Sequence, residues 1–121
     1  MASGIVTSSA DRIVEQGTQS LNSQTWTYRK YESGICEAWA VLVTSAQTAS
    51  GNVNFNGFYF PSFFISVTCL NVNASVDGIV DSYAKYCRAG VSSHRLDLYV
   101  YKGGTENAST RFDVHIMGTW K

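Results

Sequence analysis

The chain has 121 residues, enough for one domain with a core of its own. Nine Lys and Arg balance nine Asp and Glu, so the basic excess that drives nucleic-acid binding is missing, and no polybasic cluster addresses a membrane surface. At 45% hydrophobic residues the chain is not of the disordered class. Its longest apolar stretch, Phe58 to Leu70, is interrupted by Pro61, Ser62, Ser66 and Thr68 and is too short for membrane insertion.

Residues 1–12 read as a leader or linker, with no charged-then-apolar signal peptide, and residues 13–121 as a single domain. Ile13 to Gln16 suits a short first strand, followed by a loop over Gly17 to Gln24. Trp26 to Tyr31 then alternates Trp26, Tyr28 and Lys30 against Thr27, Arg29 and Tyr31, and Glu32-Ser33-Gly34 supplies a turn. Ile35 to Val43 returns as a strand with few polar positions on either face. Such two-sided apolarity predicts a central strand, covered by a second sheet on one side and by another subunit or loop on the other.

Thr44 to Asn52 reads as a polar loop, and Val53 to Phe60 and Phe63 to Val72 as strands on either side of Pro61. Asn73 to Gly78 is turn material, Ile79 to Cys87 a strand broken at Asp81-Ser82, and Ala89 to Ser93 a loop. Arg95 to Tyr101 points Leu96, Leu98 and Val100 inward, and Lys102 to Asn107 makes the next loop. Arg111 to Trp120 sets Phe112, Val114, Ile116, Gly118 and Trp120 against Arg111, Asp113, His115, Met117 and Thr119. The resulting prediction is an all-β domain, an antiparallel β-sandwich of about six to nine strands.

Chemistry-bearing motifs are scarce. No nucleophile elbow, phosphate-binding loop, dinucleotide fingerprint or zinc-protease motif occurs, so no catalytic residue, metal or cofactor is assigned. A paired-carboxylate glycosidase would draw on Glu37, Asp97 or Asp113, and Glu37 beside its apolar run is the acid most open to a raised pKa. A satisfied polar contact is the preferred reading of Glu37. Cys36, Cys69 and Cys87 lack zinc-type spacing and read as three reduced thiols, the alternative being one disulfide that involves Cys87. Asp113 and His115, two apart on one strand, share a face and would permit a metal, but read as a polar or interface-facing surface.

What remains are aromatic rings and an apolar strand face. Trp26, Tyr28, Tyr99 and Tyr101 are the candidate ligand-binding residues, because aromatic rings stack on the C–H faces of sugars or anchor interfaces. Trp39 and Val41, with Asp113 and His115, are the candidate oligomer interface.

Glu15-Gln16-Gly17, the run from Trp26 to Tyr31 and the run from Ser33 to Trp39 are similar to the distal domain of phage and prophage tail proteins. So are Phe60-Pro61 with Phe64-Ile65-Ser66, and the closing Met117 to Lys121. The resemblance covers most of the chain from Asp11 onward, with Tyr31 where the pattern more often has Trp and Met117 in place of Ile. It implies the C-terminal tip of a tail fibre or minor tail protein, a compact sandwich in the shape of H-type lectins. The expected protein is a non-enzymatic homotrimer on the virion tail, joined to upstream fibre segments and acting outside the cell. Its expected partner is a bacterial surface carbohydrate, with no nucleic acid and no membrane insertion. Two alternatives are a trimerisation or capping domain without a ligand, and a glycan-hydrolysing module.

Overall fold

The apolar–polar alternation of the sequence resolves, in a computed structural model describing residues 11–121, into eight strands. The leader expected over residues 1–12 lies outside the described residues except for Asp11 and Arg12. The strands are β1 (Ile13–Leu21), β2 (Gln24–Tyr31), β3 (Ile35–Val43), β4 (Gly51–Tyr59), β5 (Ser66–Val76), β6 (Ser82–Gly90), β7 (Arg95–Lys102) and β8 (Thr110–Thr119). A five-stranded sheet in the order β1-β2-β3-β8-β5 faces a three-stranded sheet in the order β4-β7-β6, every pairing antiparallel. The all-β antiparallel sandwich is as the sequence predicts.

The core lies between the sheets. From β3 it takes Cys36, Ala38, Ala40 and Leu42, from β8 Phe112, Val114 and Ile116, and from β7 Leu96, Leu98 and Val100. These are the inward sets that the period-two pattern assigns to β7 and β8. Removing each of the Leu, Ile, Val and Phe side chains from water is worth about 1.5–3 kcal/mol, which makes β7 and β8, with Leu42 of β3, the energetic centre. Phe60 and Phe64 meet edge to face at 5.6 Å beside Pro61 and are fully buried with it. Their turn replaces the expected start of a strand at Phe63. The three cysteines are free thiols, and burial pushes the Cys36 thiol up to about 11.

Several boundaries differ from the sequence reading for local physical reasons. The expected loop from Gly17 to Gln24 is the end of β1 and a tight hairpin, in which Asn22 (φ 48°) and Ser23 (φ 67°) both take the left-handed conformation. That is the two-residue turn whose twist matches the strands it joins. The expected turn from Asn73 begins only at Asp77-Gly78, because Asn73 to Val76 stay paired with β8. The sixth strand is displaced to Ser82–Gly90 and absorbs the expected loop at Ala89-Gly90, both paired with β7. At Gly118 strands β8 and β5 approach so closely that a Cβ would stand 1.9 Å from the Ser66 carbonyl oxygen.

Candidate functional site

Each sheet turns a second face away from the core, and the two faces differ in chemistry. On the five-stranded sheet, odd-numbered positions of β3 and β8 point outward. Trp39 pairs with His115 and Val41 with Asp113, so the four residues expected at an oligomer interface form one contiguous block. They line an open depression of about 690 Å³, bordered by Thr27, Asn71 and Asn73. Exposed aliphatic side chains flank it, namely Ile35, Val43 and Met117, and Val41 itself is 44% exposed.

A polar network is set into this apolar field. Glu37 accepts hydrogen bonds from the Tyr31 hydroxyl and from His115 Nε2 at 3.0 Å, while the Arg29 guanidinium lies 5.2 Å from the Trp39 ring centre. Burial works to raise the Glu37 carboxyl, but the Tyr31 and His115 hydrogen bonds and the charges of His115 and Arg29 outweigh it and hold it below its ordinary value. The raised pKa considered for Glu37 from sequence is therefore corrected to a lowered one. The preferred reading of Glu37 as a satisfied polar contact matches the geometry. Glu37 and Asp113 share this face, whereas Asp97 lies on the other sheet and pairs with Arg88 at 2.8 Å. Among the described residues, no three His, Cys, Asp or Glu side chains converge as a metal site.

The outer face of the three-stranded sheet carries tyrosines. Tyr99 and Tyr101 sit on β7, the middle strand, with Tyr86 opposite Tyr99 and Tyr83 opposite Tyr101 on β6. The Tyr83 and Tyr101 rings stack with centres 5.1 Å apart, and Tyr86 tilts against Tyr99 at 5.6 Å. On the other side of β7, Asn52 pairs with Tyr101 and Asn54 with Tyr99. The result is a block of four rings edged by two carboxamides, with Tyr83 and Tyr86 50% and 59% exposed. Lys85 reaches across β7 from β6 and donates to Asn52 Oδ1 at 3.0 Å.

The structure thus joins two of the four expected ligand-binding rings and separates the other two. Trp26 is fully buried in the core, its indole N–H without a partner among the described residues, so it offers no face to a ligand. Tyr28 is half-buried, donates to Glu15 at 2.8 Å and packs against Phe63 at 5.0 Å. Tyr83 and Tyr86 escape sequence reasoning because a bulge between Ala84 and Tyr86 breaks the period of two. Residues three apart then share a face.

No family model matches the chain, and no curated protein matches it. Among solved structures it is similar to the P. aeruginosa R1 pyocin fibre comprising C-terminal residues 323–701, with a TM-score of 0.57 and 15% sequence identity. The match covers 87% of this chain and 28% of that one, so this chain spans little more than a quarter of the fibre fragment. At that identity the likeness is one of fold: this β-sandwich has the architecture of part of a pyocin fibre.

Proposed function

We propose that this chain is a receptor-binding tip domain of a phage-tail-type fibre, which recognises a bacterial surface carbohydrate without catalysis. The observation that carries the reading is the tyrosine block. Four neighbouring rings with two asparagines at their edge are the surface that sugars need, since rings stack on C–H faces and carboxamides bond hydroxyl groups. The fold likeness to a pyocin fibre fragment and the similarity of the Trp26–Trp39 segment to distal tail domains support the setting. Upstream fibre segments would be its covalent or assembled partners, and the virion tail its location.

The opposite face serves assembly in this reading. Five strands about 4.8 Å apart and about nine residues long span about 700 Å², close to the ~800 Å² per partner of a standard interface. Trp39, Val41, Asp113 and His115 would lie within it and join three copies into a homotrimer. Three tyrosine blocks then face outward, and their linkage turns weak single-site binding into avidity.

The test is adsorption of the purified chain to a panel of bacterial cells. The double variant Tyr99→Ala/Tyr101→Ala is expected to lose adsorption while keeping its solution mass and its β-sheet circular dichroism, at a somewhat lower melting temperature. Unchanged adsorption would favour a capping domain that only assembles. Release of reducing sugar ends, lost on Glu37→Gln, would point to a hydrolase instead.

A further inference from the structure

The net charge of the chain is zero, yet its cations are unevenly partnered. On the five-stranded face Arg111 has Asp113 at 3.1 Å, and Arg29 acts on Glu37. On the three-stranded face β6 and β7 contribute Lys85, Arg88 and Arg95 outward against the single acid Asp97, which is taken up by Arg88 at 2.8 Å. Among the described residues Lys85 and Arg95 form no ion pair, and the further acid Asp81 lies against Gly103 beyond the Tyr83–Tyr101 row.

Lys85 is also held in place. It enters at the bulge between Ala84 and Tyr86, crosses the middle strand and rests its ammonium on the Asn52 carboxamide. Asn52 is the outer member of the row Asn52–Tyr101–Tyr83, and the row Asn54–Tyr99–Tyr86 lies beside it. The ammonium therefore stands beside Asn52, at the edge of the tyrosine block. Asn52 supplies a neutral oxygen, so it positions the cation without cancelling its charge, and an ammonium has three hydrogens to give. A tethered cation beside stacking rings is complementary to a sugar that carries an anionic group.

Resting on the proposed carbohydrate reading, we infer that the tyrosine block takes an acidic glycan, whose carboxylate or phosphate is bound by the Lys85 ammonium while its ring stacks on the tyrosines. Asn52 is a positioning residue for that cation. Arg95, on the same face, adds to the attraction at longer range.

The full chain and a Lys85→Met variant are read on an array of purified bacterial capsular, O-chain and wall polysaccharides at low and high NaCl. Lys85→Met keeps the apolar stem, and Lys85→Arg checks that charge rather than stem length matters. The bound glycans are expected to be acidic, with binding about tenfold or more weaker in Lys85→Met and largely retained in Lys85→Arg. Salt is expected to weaken the wild type more than the Met variant. Carboxyl reduction of a bound polysaccharide, against its dephosphorylation with hydrogen fluoride, tells which anion is held. Neutral glycans bound equally by wild type and Lys85→Met overturn this inference and leave the carbohydrate reading standing. Binding to no glycan overturns both.

Discussion

His115 Nε2 lies 3.0 Å from Glu37 Oε1 and ties β8 diagonally to β3 across the outer face of the five-stranded sheet. The Glu37 carboxyl is held below its ordinary value of 4.5 in the folded chain. A carboxyl depressed by folding stabilises above its unfolded pKa, and that contribution is lost as pH falls through the folded value. Glu37→Gln is therefore expected to cost about 1–2 kcal/mol at pH 6. The gap from wild type should narrow steadily below about pH 4.5. Urea midpoints of both proteins from pH 6 to pH 3 check this. A gap that stays constant through that range contradicts it.

Val41 pairs with Asp113 and stands exposed in the proposed assembly face. Val41→Lys gives the Asp113 carboxylate a cross-strand partner in the single chain, so folding should be nearly unaffected. In an interface the same lysine must shed its water, which opposes association. Light scattering is expected to give the wild type about three times the 13.3 kDa of one chain and the variant about one. A wild type at the mass of one chain at low micromolar concentration removes the trimer.

Gly118 has the Ser66 carbonyl oxygen where a Cβ would be, whereas a Cβ at Gly57 would meet nothing within 4 Å. Gly118→Ala must force β5 away from β8 and is expected to cost about 3 kcal/mol or more. Gly57→Ala should be neutral or stabilise by up to about 1 kcal/mol. Paired thermal melts decide between this close approach and a general intolerance of alanine in the strands.

Lys102 is 2% exposed, and its ammonium donates to the carbonyl oxygens of Gln47 and Glu106. Lys102→Met keeps the stem in the core but leaves both oxygens without their charged donor. The expected loss is about 2–4 kcal/mol. The loops around residues 47 and 106 should then be nicked by protease earlier than the rest of the chain. Cleavage mapped to other loops first would contradict this.

The elements most legible in the sequence are those that the core fixes on one face. Leu96, Leu98 and Val100, and Phe112, Val114 and Ile116, each alternate without interruption and are all buried. β1 was harder to read beyond Gln16 because it is an edge strand whose residues are mostly exposed, so burial imposes no pattern on Gly17 to Leu21. Trp26, Tyr28 and Lys30 share a face opposite Thr27, Arg29 and Tyr31, and both sets mix aromatic with polar groups. Period alone does not say which set is inside, so the sequence leaves Trp26 a candidate ligand-binding ring although it is fully buried. The exposed apolar face of the five-stranded sheet is readable from the outer positions of Ile35–Val43. Half of the tyrosine block was hidden by a bulge, a feature of strand pairing that has no signature in local sequence.

The Lys102 ammonium holds two neighbouring loops by their main-chain oxygens, and Gln47 and Ala108 join the same loops through a reciprocal pair of main-chain bonds. Every amino acid offers the same carbonyl oxygen, so this anchorage does not depend on which side chains the loops display. The sandwich can therefore carry very different loop sequences at this end on an unchanged base, with adaptation and stability assigned to separate parts of the chain.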